Sequence, residues 1–549
     1  MMPERDDLRA ARRAVAEHEW ATARDLFLSG ARTTIAREAV RTLGIDDLAS
    51  LAQACWWLGH IDEYALVTDE VCRLRTDAGD APGAAAAAVE LGFSESVRGN
   101  DAAAAGWLAR AGRLLATTPD AVEHGFLLII EAHGTLAVGD LARADQLVHR
   151  VLELGDRFHE PTLQAYGLFL SGRLAIRRGR VREGSRYLDE AMIPVLGGRT
   201  ALPWAGDLYC QMMQLCYELG DLPRAQHWTE ITEAWCQELA PARLFTGICR
   251  VHRVQLLQVH GDWPRALREA EEAAADLADI DVVAAGEANY RCGELHRLRG
   301  ELDLAETAYR AARALGREPL PGSALLHLER GSTATAAASL DAALAGVRAP
   351  LDRAPLLAAR IEVALCQDDR GRLDALVDEL NDIADHHGSP GWQAEACRWR
   401  GSVQAAYGHH PAALPVLREA RDRWQQIDAP REVARTRVEI ARSLEALGDG
   451  DTAREEYELA ATTFAELGAG RELQHLVAQR RRRRAPEELS PRETEVLAVV
   501  AEGGTNRDVG AHLHISERTV ARHLANTYLK LGVSSRTAAV AWARDHGVV

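Results

Sequence analysis

Glycines recur along residues 1–479 at a nearly constant spacing of about 40 residues. Each ends a stretch with helical apolar periodicity, and a second helical stretch follows it. Glycine readily adopts the left-handed backbone that ends a helix, so each unit is predicted to be a helix–turn–helix pair. The predicted turn glycines are Gly59, Gly99, Gly139, Gly179, Gly220, Gly261, Gly300, Gly331, Gly371, Gly408 and Gly448.

A small residue lies five positions after most of these glycines, where it lets the two helices of a pair approach closely. Such a pair cannot bury its apolar face alone, so neighbouring pairs must stack into a solenoid. The small residues are Ala104, Ala144, Gly184, Ala225, Ala266, Ala305, Ala336, Ala413 and Ala453.

Units such as LAVGDLARADQLV and HRLRGELDLAETAY resemble tetratricopeptide repeats. Because the usual period is about 34 residues, a period near 40 implies longer helices or loops. The resemblance implies a right-handed α-solenoid of roughly 11–12 helix pairs. A further half-repeat is predicted to begin near Trp20, and the short 300–331 interval with its REPLPGS stretch predicts a lost or distorted helix.

The last 61 residues contain start signals for four short helices. Ser490 with Glu493 three residues later forms a predicted capping box, and Thr505 with Asp508 repeats the pattern. Ser516 is predicted to start the third helix, and Ser534 or Ser535 the fourth. Only His514 and Ile515 separate the second helix from the third, which predicts a steep crossing that lets the third helix protrude.

Apolar residues in this segment fall on one face of each of the first three helices. The predicted buried residues are Val496, Leu497, Val500, Val509, Leu513, Val520, Leu524, Tyr528 and Leu531. The residues left mainly outward on the third helix are Arg518, Arg522, Ala525, Asn526 and Leu529. A small helical core therefore presents one basic helix; any small helical bundle would show the same caps and stripes.

The segment resembles the LuxR-type (FixJ- or GerE-like) DNA-binding domain of bacterial transcription regulators. The matching pieces are LSPRE at 489–493, EVL at 495–497, TNR at 505–507, ISE at 515–517, TV at 519–520, HL at 523–524, Asn526, KLGV at 530–533 and SR at 535–536. The resemblance implies that the helix from about Ser516 to Lys530 enters the major groove. It also implies that the last helix, about Ser535 to His546, pairs two such domains.

Four positions depart from the family pattern. Ala521 lies where the family usually has a cation, and Arg522 lies where it often has a small residue. Gly510 replaces the usual alanine, and Thr527 replaces an aliphatic residue. We expect Gly510 to cost the second helix up to about 1 kcal/mol. The shifted cation means that the operator sequence cannot be copied from relatives.

The third helix and its neighbours supply the candidate DNA-binding residues. Arg522 is the best candidate for a bidentate contact to guanine, and Arg518 for a base or a phosphate. For every one of these charges the alternative is a solvated surface position. The full candidate set is Arg507, Ser516, Arg518, Thr519, Arg522, His523, Asn526, Lys530 and Arg536, of which Thr519, His523, Arg507, Lys530 and Arg536 are expected to hold the phosphate backbone.

Charge is distributed unevenly. Residues 480–549 contain 12 Lys+Arg and 8 Asp+Glu, a net charge of +4. Subtracting these from the chain totals of 64 and 81 leaves 52 and 73 for residues 1–479, a net charge of −21. Only the C-terminal part is therefore expected to bind a polyanion. The run Arg480–Arg484 is either a phosphate contact or a solvated linker.

Lys530 is the only lysine in the chain, so no Walker-type phosphate loop exists. The chain thus resembles the large ATPase-type LuxR regulators without their ATPase domain. The nine cysteines show no CxxC spacing and are expected to be reduced core thiols, including Cys210 and Cys216 near His252. No catalytic set, cofactor site or metal site is predicted, and the protein is not expected to be an enzyme.

The predicted fold is all-α in three parts: a tetratricopeptide-like solenoid at 1–473, an Arg-rich linker at 474–488 and a LuxR-type domain at 489–549. The predicted function is sequence-specific transcriptional regulation, with activation expected over repression. The alternative is a protein-interaction adaptor in which the DNA-binding part is secondary. The absence of a signal sequence or an 18-residue apolar run predicts a cytoplasmic protein without a membrane partner.

The expected partners are double-stranded DNA with a pseudo-palindromic operator, a second copy of the chain (a homodimer or larger assembly on DNA) and RNA polymerase. A further unknown ligand or protein is expected in the solenoid groove. Candidate groove residues lie on the central first helices: Tyr209, Gln211, Gln214, Tyr217, His252, Arg253, Gln255, Asn289, Tyr290, Arg291, Glu294 and His296. The alternative is that these residues cap helices or pair across repeats.

Overall fold

A computed structural model describes residues 5–28, 43–238, 243–484 and 489–545. All regular secondary structure in these ranges is helical. The chain divides into two compact units, Met1–Ala469 and Gly470–Val549. The helices of the first unit are α1 Arg5–Ala16, α2 Trp20–Phe27, α3 Ile45–Leu58, α4 Ile61–Asp77, α5 Ala81–Val97, α6 Asp101–Leu115, α7 Val122–Ala137, α8 Leu141–Phe158, α9 Pro161–Arg177, α10 Val181–Leu196, α11 Leu202–Glu218, α12 Leu222–Glu238, α13 Arg243–His260, α14 Trp263–Leu277, α15 Val282–Arg299, α16 Leu302–Ala314, α17 Gly322–Glu329, α18 Thr333–Gly346, α19 Pro350–Gln367, α20 Arg370–His387, α21 Pro390–Ala406, α22 His410–Gln426, α23 Pro430–Ala446 and α24 Gly450–Glu466.

These helices form twelve successive pairs within the described residues, as the glycine spacing predicted. Ten of the eleven predicted turn glycines have φ between +66° and +94°. In the turn after α5, for example, the backbone N–H of Asn100 donates to the carbonyl of Glu95 at 2.8 Å, which ends the helix. A helix begins at Trp20, as predicted, but this helix, α2, packs against α1, so the unit is a full helix pair and the prediction of a half-repeat was wrong.

Gly371 was wrongly predicted as a turn residue. The turn between α19 and α20 is made by Asp368, whose φ is +52°, and Gly371 lies in the first turn of α20. Aspartate tolerates the left-handed conformation better than most residues, so the turn does not need a glycine. The turn residues thus run 331, 368 and 408, without a change in architecture.

The predicted small residues lie at the helix crossings and are buried. At Gly184 an added Cβ would lie 2.7 Å from the carbonyl oxygen of Gly172, so α9 and α10 approach more closely than even alanine allows. The short 300–331 interval distorts a pair without losing it. There α17 has only 8 residues, whereas the preceding first helix, α15, has 18.

Residues about 175 positions apart contact each other within this unit. The Trp392 Nε1 donates to the carbonyl of Glu218 at 2.8 Å, and Arg177 pairs with Asp352 at 3.2 Å. With a repeat of about 40 residues, this offset corresponds to just over four helix pairs. The array therefore completes one turn after about four pairs, and residues of successive turns are in contact.

One of these contacts between successive turns joins the backbones of two glycines. The Gly391 N–H donates to the carbonyl of Gly220 at 3.1 Å, and an added Cβ on Gly391 would lie 2.8 Å from that oxygen. Successive turns of the array thus meet backbone to backbone.

Eight of the nine cysteines are buried, as predicted, but Cys366 is exposed, so it is not a core thiol. The described residues contain no cluster of histidine, cysteine, aspartate or glutamate suited to a metal ion. Among the same residues, no helix has the length and apolarity needed to cross a membrane.

We predict that Gly391→Ala lowers the stability of the full chain, because its methyl group would force the Gly220 turn away. The expected loss is about 1–3 kcal/mol, the usual cost of overpacking, measured as a lower denaturation midpoint. Gly134→Ala is the matched control: Gly134 lies within α7 with no atom near its Cβ position, so alanine should raise the midpoint. An unchanged midpoint for Gly391→Ala would contradict the close approach.

Candidate nucleic-acid interface

The second unit contains α25 Gly470–Arg484, α26 Pro491–Ala501, α27 Asn506–His512, α28 Glu517–Leu531 and α29 Arg536–Asp545. Residues 474–484 of the proposed linker are therefore helical, although the side chains of the arginine run lie outside the described residues. The predicted end of the last helix at His546 also lies outside them. The three-part division of the chain remains a proposal.

Each of the last four helices begins at a serine or threonine that the sequence singled out. The Ser490 N–H donates to Glu493 Oε2 at 2.8 Å, and the Glu493 N–H donates back to Ser490 Oγ at 3.3 Å. Thr505 and Asp508 form the same reciprocal pair. These bonds satisfy backbone donors that a helix start leaves without partners.

Serines cap the remaining two helices. Ser516 Oγ accepts from the Thr519 N–H at 3.1 Å and also bonds the Thr519 hydroxyl. Of the two serines proposed for the last helix, Ser535 makes the cap, because its Oγ accepts from the Ala538 N–H at 3.2 Å.

The apolar stripes of α26, α27 and α28 meet in a core, as predicted. One cluster contains Val496, Val500, Val509, Val520 and Leu524. A second contains Leu497, Leu531, Ala539 and Ala543 and fixes α29 against α26. The core determines which side of α28 is left facing solvent.

A tight turn joins α27 to α28 through His514, whose φ is +55°. An added Cβ on Gly510 would lie 2.7 Å from the Ile515 carbonyl oxygen, so the glycine makes room for this turn. The expected helix-propensity cost of Gly510 is therefore only part of its effect. Arg492, which the sequence did not single out for a role, also holds the turn by donating to the Leu513 carbonyl at 2.7 Å.

The solvent side of α28 presents the five residues predicted to face outward: Arg518, Arg522, Ala525, Asn526 and Leu529. Leu529 is 82% exposed. Arg518, Arg522 and Asn526 follow at intervals of four, so they share one face. Neither arginine forms an ion pair within the described parts of the chain, which leaves both guanidinium groups available to an outside anion.

Two other candidates have partners inside the unit. Lys530 Nζ lies 2.9 Å from Glu493 Oε2, and this hydrogen bond lowers the pKa of the buried Glu493 carboxyl. Arg536 donates to Asn506 Oδ1 at 3.0 Å and to the Gly504 carbonyl, joining α29 to the start of α27. Their DNA contacts remain predictions, and they compete with these structural contacts.

The remaining candidates lie beside the exposed face. Arg507 is exposed at the start of α27, His523 and Thr519 are half-buried, and Ser516 is exposed. The arrangement thus presents an exposed helix face with two arginines that have no ion-pair partner in the described part of the chain, supported by polar groups at the helix start.

Comparison with known families identifies this unit. The model of the bacterial regulatory proteins of the luxR family matches residues 487–543. The C-terminal unit contains a LuxR-family DNA-binding domain. The predicted resemblance is thereby confirmed for this part of the chain.

Similar curated proteins are transcription regulators by name. The transcriptional regulatory protein LiaR of Bacillus subtilis is 46% identical over 61 residues, which cover 11% of this chain and 29% of LiaR. An HTH-type transcriptional regulator of Mycobacterium tuberculosis is 29% identical over 204 residues, 36% of this chain and 22% of that protein. The latter match is too long for the LuxR-family domain alone, so it includes helix pairs. The chain spans less than a third of either relative's length.

Among solved structures, the Rap protein complexed with Competence and Sporulation Factor is 11% identical, with a TM-score of 0.37 over 70% of this chain and 97% of that one. The tetratricopeptide-like architecture rests instead on the helix pairs and turns of this protein itself.

We predict that Lys530→Met destabilises the LuxR-family domain at pH 7 by about 1–2 kcal/mol, less than a fully buried pair because Lys530 is partly exposed. A carboxyl whose pKa is lower in the folded state than in the unfolded state stabilises the fold at pH values above its unfolded-state pKa. This stabilisation is lost as the pH falls through its folded-state pKa. The deficit of the variant should therefore shrink below about pH 4. The stability deficit of the variant is measured by the hydrogen-exchange protection of α26–α29 at pH 7 and below about pH 4. An equal deficit at the two pH values would contradict the pairing of Lys530 with Glu493.

We also predict that Thr527→Val stabilises this domain. The Thr527 side chain is fully buried, and its hydroxyl has no hydrogen-bond partner among the described residues. Replacing an unsatisfied hydroxyl with a methyl group should add about 1 kcal/mol. Thr494→Val is the control, since the Thr494 hydroxyl donates to the Ser490 carbonyl at 3.2 Å and its loss should lower hydrogen-exchange protection. Reduced protection in Thr527→Val would show that the hydroxyl has a partner.

Proposed function

We propose that this protein is a sequence-specific DNA-binding transcriptional regulator, and that it acts as an activator. The observation that supports this most directly is the exposed face of α28, where Arg518, Arg522 and Asn526 are aligned without internal ion pairs. Elsewhere in the chain arginines are commonly paired with carboxylates, as Arg297 is with Glu294. Two unpaired arginines on a protruding helix of a LuxR-family domain are suited to DNA.

The proposed reading of DNA divides the residues by role. Arg522, near the middle of the exposed face, donates two guanidinium N–H groups to O6 and N7 of a guanine in the major groove. Arg518 contacts a base or a phosphate, and Asn526 lies one turn further along. Thr519, His523 and Arg507 hold the phosphate backbone and fix the position of the helix. Arg536 and Lys530 contribute to the backbone contact only if they leave their internal partners.

Two copies are proposed to bind together through α29 on a pseudo-palindromic operator, with half-sites about one helical turn apart. The helix pairs of residues 1–469 would then sense a ligand or protein partner, or control assembly. Their strong negative charge supports this separation of roles, because an acidic array does not itself attract DNA. RNA polymerase is the proposed target of the activating contact.

The first experiment is recovery of sheared host genomic DNA bound by the full chain near 150 mM salt, a condition at which non-specific phosphate binding is weak. Enrichment of a shared inverted repeat would support the proposal. Enrichment by residues 470–549 but not by the full chain would indicate that the acidic array shields the domain. Enrichment by neither would favour the adaptor function.

Arg522→Ala is predicted to weaken binding to the enriched operator by about 1–3 kcal/mol and to relax specificity at one base position. Arg507→Ala is the comparison variant. It should weaken binding to all sequences about equally and reduce the salt slope by about one. Fluorescence anisotropy at several salt concentrations measures both. Equal behaviour of the two variants would contradict the assignment of Arg522 to a base.

A further inference from the structure

The first unit contains a partly open cavity of about 350 Å³ that the DNA-binding role does not use. Its walls come from α3, α4 and α5, and from α11 one turn of the array later. This volume lies within the range of small-molecule sites. The residues that define its chemistry are Trp56, Tyr64, Glu90, Phe93, Trp204 and Asp207.

Aromatic rings form a continuous wall in this cavity. The ring centroids of Trp56 and Tyr64 are 4.9 Å apart, those of Trp56 and Phe93 6.1 Å, and those of Phe93 and Trp204 6.5 Å. Phe126 stacks behind Trp204 at 5.0 Å and fixes that ring. The faces of aromatic rings attract cations, because each ring has negative charge density above its plane.

Two carboxylates face the same space, and neither lies within ion-pair distance of a basic side chain in the described residues. Arg75 is the cation that interacts with Glu90, but Arg75 pairs with Asp80 at 2.8 Å. Asp207 accepts hydrogen bonds from the Tyr166 hydroxyl and the Gln211 amide. Arg173, the cation that interacts with Asp207, donates to Gln211 instead.

Glu90 is solvent-exposed where it lines the cavity, whereas Asp207 is half-buried. Desolvation by neighbouring protein atoms raises the pKa of the Glu90 carboxyl to about 7, and burial also raises the pKa of Asp207. Both carboxylates therefore lack the cation that would stabilise their charged forms.

A second cavity of about 450 Å³ provides the contrast. Several predicted groove residues line it: Gln214, Tyr217, Tyr290, Arg291 and Glu294. Five of its six carboxylates are paired with arginines, among them Glu294 with Arg297 at 2.8 Å, Glu395 with Arg398 at 2.7 Å and Glu432 with Arg431 at 2.6 Å. The sixth, Glu218, accepts from the Gln214 amide at 2.9 Å. Most carboxylates of that cavity therefore have an arginine partner, whereas the two of the smaller cavity have none among the described residues.

We propose that this cavity binds a small organic cation, an ammonium or quaternary ammonium compound, whose charge faces Glu90 and Asp207 and whose carbon groups lie against Trp56, Tyr64, Phe93 and Trp204. Such a ligand supplies the missing counter-charge and buries apolar surface on the rings. The inference rests on the sensing role proposed above. Because ligand binding is measured without DNA, its failure and a failure of DNA binding are separate results.

The test compares cations with neutral molecules of the same shape by titration calorimetry on the full chain. Choline is paired with 3,3-dimethylbutan-1-ol, and 2-phenylethylamine with 2-phenylethanol. We expect at least one cation to bind roughly tenfold more tightly than its neutral counterpart, the size of an effect that several cation–ring contacts produce. Equal affinities within both pairs would overturn the proposal, as would no saturable binding of either cation at about 10 mM.

Glu90→Gln and Asp207→Asn should each reduce cation affinity roughly tenfold and leave the neutral molecules unaffected. Glu190→Gln, which removes an exposed carboxylate from α10, is the control for the change in net charge. Cation affinity that survives both cavity substitutions would overturn the role of the carboxylates.

The pH dependence supplies an independent readout. A cation favours the charged Glu90 carboxylate, so its binding should strengthen between pH 6 and pH 8 and release protons. The groups that interact with Glu90 are Tyr64 and Arg75, and those that interact with Asp207 are Tyr166, Arg173 and Asp281. The pKa of each of the two tyrosines is raised, and the pKa of Asp281 is raised to about 6. In Glu90→Gln the dependence should weaken, and an unchanged dependence would assign it to Asp207 or Asp281 and contradict the role of Glu90.

The folding stability of Glu90→Gln shows that the variant is intact. A carboxyl whose pKa is raised in the folded state destabilises the fold at pH values above its unfolded-state pKa. The destabilisation grows with pH until the pH passes the folded-state pKa. Glu90→Gln should therefore have a higher denaturation midpoint than the unmodified chain at pH 8, and the difference should vanish near pH 4. A lower midpoint at pH 8 would mean that Glu90 serves the fold, which contradicts a ligand-binding role.

Discussion

Close backbone approach within and between helix pairs is the constraint on which the first unit depends. Within a pair, a small residue such as Gly184 lets the two helices cross with almost no space between them. Between turns of the array, Gly220 and Gly391 meet through a backbone hydrogen bond. Because each pair has nearly the same crossing, the rotation from one pair to the next repeats, and the array closes after about four pairs. That closure brings α11 against α3–α5 and so creates the aromatic cavity.

Local features of this architecture followed from the sequence, because each depends on a few neighbouring residues. A glycine that must adopt positive φ, or a serine followed by glutamate three residues later, has a local physical reason. Asp368 shows the limit of that reasoning: two residue types suit the same backbone conformation, and the sequence alone favoured the wrong one. The contact of Gly391 with Gly220 was beyond sequence reasoning, since it depends on small rotations added over four pairs.

In the candidate site, too, the sequence predicted the exposed and buried faces of the helices but not the hydrogen-bond partners of individual side chains. Helical periodicity predicted which residues of α28 are exposed and which are buried, because burial follows from the 3.6-residue repeat. It did not predict that Lys530 bonds Glu493 or that Arg536 bonds Asn506, since partners 30 or more residues away depend on tertiary packing. Gly510 was predicted to weaken α27, but its missing side chain also leaves room for the turn that orients α28.

The pairing of charges separates groups that serve the fold from groups available to a ligand. In an interior that excludes water, an unpaired charge is costly, so a fold optimised for stability alone would pair or remove it. Arginine–carboxylate pairs are common through the helix array, including buried ones such as Arg297 with Glu294. Glu90 and Asp207 have no arginine partner among the described residues, and they line a cavity together with aromatic rings. Arg518 and Arg522 have no carboxylate partner among the same residues, and they share a helix face. Under the two proposals, each set selects a ligand of opposite charge: an organic cation in the first unit and the phosphates and guanine edges of DNA in the second.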